Sequence, residues 1–335
     1  MTNNNVNLSS QIEGDLIALL DDWFSLSEVW DNELDAQIAK WYSNPPNVFP
    51  KRPYFSPSSL GSCPRELYIK AKHGNKAKDN LRQPPHQGRW KKLGTLGGDL
   101  IQRELLAIER NYEKQTGNAP RFRFLKNEKG EPLFEDFAKT NKRVEQDGET
   151  FYLYGAPDGI MEYITDEGEP IRVGLEIKSK QGTPARTSLH SMTKPDSAHA
   201  RQIVAYSHMF DCDYYVILYV NYSKKGWFMS EEEYEKTPDI RAFCAKVEPE
   251  HKRQVFAKAV EVTRAVREGI PPKLDLDEWT FNNFKEACAK DLSEEEVEEL
   301  RKEVEQAKRS SLPKWKVNSK VRALEEIEEL RKGAK

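Results

Sequence analysis

The stretch Phe151–Lys180, FYLYGAPDGIMEYITDEGEPIRVGLEIKSK, constrains the fold more than any other part of the chain. It reads as a strand ending at Gly155, a break at Pro157-Asp158-Gly159, a second strand, a turn over Asp166-Glu167-Gly168 and a third strand from Ile171 to Ser179. Pro, Asp and Gly stand at the breaks, where tight connections need them. In the third strand Val173, Leu175 and Ile177 alternate with Glu176 and Lys178. Side chains two residues apart leave a strand on the same side, so this is a half-buried strand with its charges on one face. Asp158 sits at the mouth of the preceding hairpin, where a twisted sheet can bring it beside Glu176. Two carboxylates converging with a lysine make a site that holds a divalent cation and activates a water; the same spacing also describes an ordinary solvated face.

At 335 residues the chain can bury a full core, which favours one large domain with helical additions. The net charge of −3, with 32% charged residues, gives no global basic field, so contact with nucleic acid would rest on local patches. Cys63, Cys212, Cys244 and Cys288 include no CxxC pair, which fits a reducing compartment better than a disulfide framework. No apolar run approaches the ~18 residues of a membrane span. The start, MTNNNVNLSSQIEGD, lacks the basic and apolar regions of a signal peptide. The expectation is a soluble, cytoplasmic protein with no membrane contact.

Residues 9–42 read as two acidic helices, with Ser9 or Ser10 as cap, Ile12, Leu16, Leu19, Leu20 and Trp23 inward, and Trp30 and Trp41 in the second helix. Asn44–Pro53 is a proline-rich link. Beyond it, Ser56 caps a helix with Pro57 at its first position and Leu60, Leu67 and Tyr68 inward. Cys63 is a buried small hydrophobe or a ligand; Arg65, Lys70 and Lys72 meet phosphates or solvent. Asn75–Arg89 is a basic, turn-rich loop containing Lys76 and Arg89, and a helix follows from Trp90 with Leu100, Ile101, Leu105 and Ile108 inward. Residues 114–150 read as a polar, irregular insertion. The loop after Lys180 carries Arg186, His190, Lys194 and His199, placed to cover a substrate.

A helix over Ser197–Phe210 then sets Gln202 and Tyr206 on one face, and Asp213–Ser223 is an apolar strand with Trp227-Phe228-Met229 as its hairpin partner. Glu248–Gly269 is an amphipathic helix with Val255, Ala259, Val262 and Val266 inward. Ser293–Arg309 and Val317–Lys332 are charged helices; the stripe Val317, Val321, Leu324, Ile327 and Leu330 docks on the domain, on another copy or on a protein partner. The expected division is a helical segment over 1–50, a central domain over 51–272 and a charged helical region over 273–335.

The ordered set P-D at Pro157-Asp158, E-x-K at Glu176–Lys178 and Q-x-x-x-Y at Gln202–Tyr206, followed by an apolar strand, resembles the PD-(D/E)XK nuclease superfamily. The Q-x-x-x-Y element is similar to the RecB-like branch, which includes phage and CRISPR-associated exonucleases. The resemblance covers about Phe55 to Phe228. It implies an α/β restriction-endonuclease-like core, a mixed central sheet flanked by helices. It also implies a Mg²⁺- or Mn²⁺-dependent DNA exonuclease of phage or bacterial recombination, repair or processing. On matching positions Asp158, Glu176 and the Ile177 carbonyl would hold the metal, Lys178 would orient the water, and Gln202 and Tyr206 would position Lys178 and the DNA backbone. Arg65, Lys76, Arg89, Arg186 and Lys194 are the candidate DNA contacts.

Two departures stand out. Branch members carry a histidine in a G-x-x-x-H pattern; here Gly98–Gln102 puts glutamine there, so Gln102 is the candidate ligand, with Asp99 or Glu104 as substitutes. Cys63-Pro64-Arg65 resembles the start of an iron–sulfur motif, but the other cysteines are scattered, so no iron–sulfur cluster is expected. The competing functions are a non-catalytic DNA-binding or assembly module on the same fold, and a DNA endonuclease.

Overall fold

The computed structural model describes residues 2–45, 48–80 and 82–332, with side chains from residue 8 onward. Pro46 and Asn47 of the expected link lie outside the described residues. The chain divides into two compact units that are not consecutive in sequence. The first gathers the residues up to Phe49 with Gln83–Lys142 and Leu153–Lys252; the second gathers Pro50–Arg82, Arg143–Tyr152 and Arg253–Lys335. The expected division into 1–50, 51–272 and 273–335 follows chain order, and these units do not.

The first unit begins with helices α1 (Thr2–Ser25) and α2 (Asn32–Tyr42). Ile12, Leu16, Leu20 and Trp23 of α1 are buried, as their spacing requires, but Ser9 and Ser10 lie inside α1 and cap nothing. Asp31 caps α2 instead, accepting from Leu34 N, and this leaves Trp30 outside the helix and 79% exposed. After α3 (Pro64–His73) of the second unit comes α4 (Pro85–Thr116), which starts ahead of Trp90, so Arg89 belongs to a helix and not to a loop. Ile101, Leu105 and Ile108 face the core, whereas Leu100 is exposed.

The 114–150 stretch is not an insertion. It supplies β1 (Phe122–Phe124), an edge strand of the main sheet, and Phe134 and Phe137, which meet edge to face at 5.6 Å in the core. Strands β2 (Thr140–Gln146) and β3 (Glu149–Gly155) pair as a separate ribbon.

The main sheet is mixed, in the order β1, β4 (Gly159–Ile164), β5 (Pro170–Lys180), β6 (Tyr214–Asn221), β7 (Ile240–Lys246). β5 and β6 are the parallel pair, and α5 (Ser197–Phe210) makes the crossover that a parallel pair needs. Val173, Leu175 and Ile177 join the core formed with α1 and α4, and Glu176 and Lys178 leave the other face. That face is covered too: α5 lies over it, so Gly174 and Glu176 are as buried as the aliphatics. Gly174 is needed there, since a Cβ would stand 2.0 Å from the Tyr215 ring.

β6 is buried along its whole length, and its partner is β7. The expected hairpin at Trp227-Phe228-Met229 does not form; Trp227 and Phe228 are over 90% exposed, and helix α6 (Glu231–Lys236) follows them.

The second unit is mostly helical, with the hairpin end of the β2–β3 ribbon. In α7 (Pro249–Glu268) Ala259 and Val262 are buried, but Val266 is partly exposed. Gly269, at φ 72°, ends that helix as its sequence predicts. The helices α8 (Lys285–Asp291), α9 (Glu294–Arg309) and α10 (Lys314–Lys332) follow, with Ser293 capping α9. Of the expected stripe on α10 only Ile327 is fully buried; the buried face runs through Lys320, Ala323 and Ile327, and the helix packs on α8 and α9 of the same chain. No helix among the described residues is long and apolar enough to cross a membrane.

Candidate metal-binding active site

Each piece of the site is set by the element that carries it. β5 and β4 are antiparallel neighbours with Gly159 opposite Leu175, which puts Asp158 at the end of the pair, level with Glu176 and Ile177. Asp158 Oδ2 accepts the Ile177 amide proton at 2.6 Å. Glu176 and Lys178 share a face, and their side chains meet, Nζ to Oε1, at 2.6 Å. From α5, Gln202 reaches both: its Nε2 donates to Glu176 Oε1 at 2.7 Å, and its Oε1 accepts from Lys178 at 3.1 Å. Tyr206, buried and stacked on Tyr215, donates its hydroxyl to the Ala156 carbonyl at 2.6 Å and so anchors the turn that carries Asp158.

Gln102 of α4 faces this turn and donates to the Asp158 carbonyl at 2.8 Å. Of its proposed substitutes, Glu104 points elsewhere and accepts from the Trp23 indole at 2.7 Å. Asp99 is exposed, and its negative charge acts on Asp158. Glu135 had no signal in the sequence, since it stands in a stretch read as irregular. Its backbone is left-handed, φ 44°, and its N–H donates to the Pro157 carbonyl at 2.8 Å. Burial, then the charges of Asp99 and Asp158, push the Glu135 carboxyl up, against the Tyr42 hydroxyl bond that pulls it down.

Electrostatically the centre is short of positive charge. Burial pushes the Asp158 carboxyl well above its ordinary range, and the Glu176 charge adds to this. Burial also raises Glu176, against the pull of Lys178 and Gln202. Two oxygens in the buried cluster have no hydrogen-bond partner, Glu176 Oε2 and Gln102 Oε1. Buried acceptors are nearly always satisfied, so this pair calls for a missing partner. A hard divalent cation fits: it takes oxygen ligands and answers the repulsion between the carboxyls. No cluster of three His, Cys, Asp or Glu side chains suited to a metal occurs among the described residues. Two carboxylates and an amide suit Mg²⁺, which is bound through one or two carboxylates and keeps several waters.

The candidate DNA contacts divide. Arg89, Arg186 and Lys194 are exposed in the first unit, and Lys76 is exposed in the second. The segment after β5 that carries Arg186 is pinned: buried Asn221 donates to the carbonyls of Thr183 and Pro184 at 3.0 and 3.1 Å. Arg65 is withdrawn from the set. It is fully buried, bound to Asp291 at 2.7 Å, to Glu296, and to the Pro272 carbonyl at 2.7 Å, and offers nothing to a phosphate. Cys63 is buried in the second unit, its sulfur accepting from Asp275 N at 3.2 Å. Cys288 belongs to that unit as well, whereas Cys212 and Cys244 belong to the first.

No protein-family model matches the chain, and no curated protein matches it. Among solved structures, SSO0001 aligns at 14% identity and a TM-score of 0.42, over 78% of this chain and 96% of that one. The alkaline exonuclease LHK-Exo from Laribacter hongkongensis aligns at 12% and 0.34, over 64% and 91%. A phage-related exonuclease from Haemophilus somnus 129PT aligns at 12% and 0.35, over 65% and 95%.

Proposed function

We propose that the chain is a metal-dependent deoxyribonuclease of the PD-(D/E)XK type. The observation that carries this reading is the pair of buried, unpartnered oxygens, Glu176 Oε2 and Gln102 Oε1, in a centre where two carboxyls face a single lysine. Asp158, Glu176 and Gln102 would hold Mg²⁺ or Mn²⁺, together with the Ile177 carbonyl. Once bound, the ion supplies a water of lowered pKa and polarises the phosphate. Lys178 orients that water and offsets the negative charge that grows on the phosphorus centre. Gln202 fixes the spacing of Glu176 and Lys178 by bonding to both. Tyr206 and Gln102 hold the Asp158 turn from two sides, through the carbonyls of Ala156 and Asp158.

The action we assign is exonucleolytic, in DNA recombination, repair or processing. Arg89, Arg186 and Lys194 are the phosphate contacts of this reading. Such contacts position a strand without reading its sequence, and they weaken steeply with salt. The test compares a linear duplex, the same duplex closed into a circle, and single strands blocked at either end. Progressive shortening of the linear substrate with the circle left intact is expected. Efficient cutting of the circle into discrete fragments would replace the exonuclease by an endonuclease. Binding of every substrate without cleavage, in either metal, would leave a DNA-binding module.

A further inference from the structure

The second unit contains a cavity of about 230 Å³ that takes no part in the site above. Its aromatic side is formed by Tyr54, Phe55, Phe151 and Tyr152, and its aliphatic side by Val262 and Val266 of α7. The aromatic side is rigid. Phe55 and Phe151 are buried and meet edge to face at 5.9 Å, and the Phe55 amide donates to the Tyr152 carbonyl at 2.9 Å. Two cations stand on the same cavity, Arg52 and Lys70. Neither is spent on an ion pair among the described residues: the Arg52 guanidinium lies 3.7 Å over the Tyr152 ring, and the Lys70 ammonium 5.2 Å from the centre of the Tyr54 ring. Lys70 is also half-buried; burial lowers its pKa against the pull of Glu66 one turn earlier on the helix, and a further anion beside it would offset that burial.

Arg65 and Lys320, by contrast, are each matched by two carboxylates. An apolar, aromatic-walled hollow with two cations standing on it therefore suits a ligand with an apolar, planar body and an anionic end. The volume falls below the ~300 Å³ of the smallest drug-sized sites, which admits one base and excludes a run of them. Aromatic walls take up a planar base by stacking, which tolerates any base because each has a π face. We propose that this cavity binds a single nucleotide, the base in the hollow and the phosphate between Arg52 and Lys70. The nucleotide is either free or the terminal unit of a strand, and the site does not depend on the metal centre.

Isothermal titration of dAMP into the full chain in EDTA tests this. One site per chain is expected, with deoxyadenosine and inorganic phosphate each at least about tenfold weaker, because each lacks half of the ligand. Val266→Phe, which fills the hollow, and Arg52→Gln, at an exposed rim position, should each weaken dAMP by about tenfold. Glu176→Gln should leave dAMP binding unchanged, which separates this site from the metal centre. An oligonucleotide with a terminal phosphate that competes with dAMP identifies the strand end as the ligand; failure to compete identifies the free nucleotide. Absence of dAMP binding at millimolar concentration, equal binding of octanoate, or binding that survives both cavity variants would overturn the proposal.

Discussion

Arg65 and the Asp158–Glu176 pair are both buried charge, yet their surroundings are opposite in kind. Around Arg65 every nitrogen has an acceptor: Nε takes the Pro272 carbonyl, Nη1 takes Asp291 and Nη2 takes Glu296. Around Asp158 and Glu176 one lysine faces two carboxyls, an oxygen of Glu176 is orphaned, and burial pushes both carboxyls up. A charge buried for architecture is matched, because an unmatched one would cost several kcal/mol. A buried charge left unmatched is tolerated where a ligand completes it, and perturbed groups cluster at such sites for that reason. Arginine 65 looked like a phosphate contact in the sequence; its partners show it to be a structural tie.

Glu176→Ala or Lys178→Ala should lower the rate of DNA cleavage by a hundredfold or more, roughly 3 kcal/mol or more of transition-state stabilisation, with circular dichroism unchanged. Undiminished cleavage by either variant would remove this centre from the chemistry. Arg65→Ala should do the reverse. Removing the buried side chain and its bonds to Pro272, Asp291 and Glu296 should cost about 2–5 kcal/mol in urea unfolding, through the cavity and the lost hydrogen bonds, with activity per folded molecule retained. A loss under about 1 kcal/mol would mean the tie is dispensable.

In the metal-free protein the folded pKa values of Asp158 and Glu176 lie above their unfolded ones, so the folded state binds more protons. Stability then falls as pH rises from the ordinary carboxylate range through the raised values, and the slope is that of linkage. The melting temperature in EDTA should drop across that window, and the gain on adding Mg²⁺ should be larger at the alkaline end. Asp158→Asn should flatten both trends; a wild-type profile in that variant would place the titration elsewhere. The smallest effect concerns Gln102. Gln102→Ala should reduce activity several-fold through the freed Asp158 carbonyl, and Gln102→His should preserve or raise the Mn²⁺-supported rate, imidazole being the better ligand for that ion. Identical metal dependence in all three proteins would make Gln102 a packing residue.

Much of the centre was legible because strand periodicity is strict. A period of two fixed Glu176 and Lys178 on one face, the Pro157-Asp158-Gly159 break fixed the end of the hairpin, and helical spacing brought Gln202 over them. Tertiary effects were not legible. Nothing local in FRF distinguishes a three-residue edge strand from a loop; β1 exists because β4 offers it an edge. Glu135 reaches the site through a left-handed backbone position that no propensity signals. Trp227 and Phe228 looked like a strand on composition, yet β7 took the edge of β6, and burial, not β-propensity, decides such pairings. Arg65 misled for a related reason: charge on a helix says nothing of which carboxylates the rest of the chain will fold against it.

The most direct test of the central claim is the binding of Mn²⁺ without DNA, followed by the loss of its free-ion electron paramagnetic resonance signal. The wild type and Arg65→Ala should bind the ion alike, and the Asp158→Asn, Glu176→Gln double variant should bind it at least about tenfold more weakly. Equal binding by the double variant would contradict the account, because the unmatched carboxyls would then not be there for a cation.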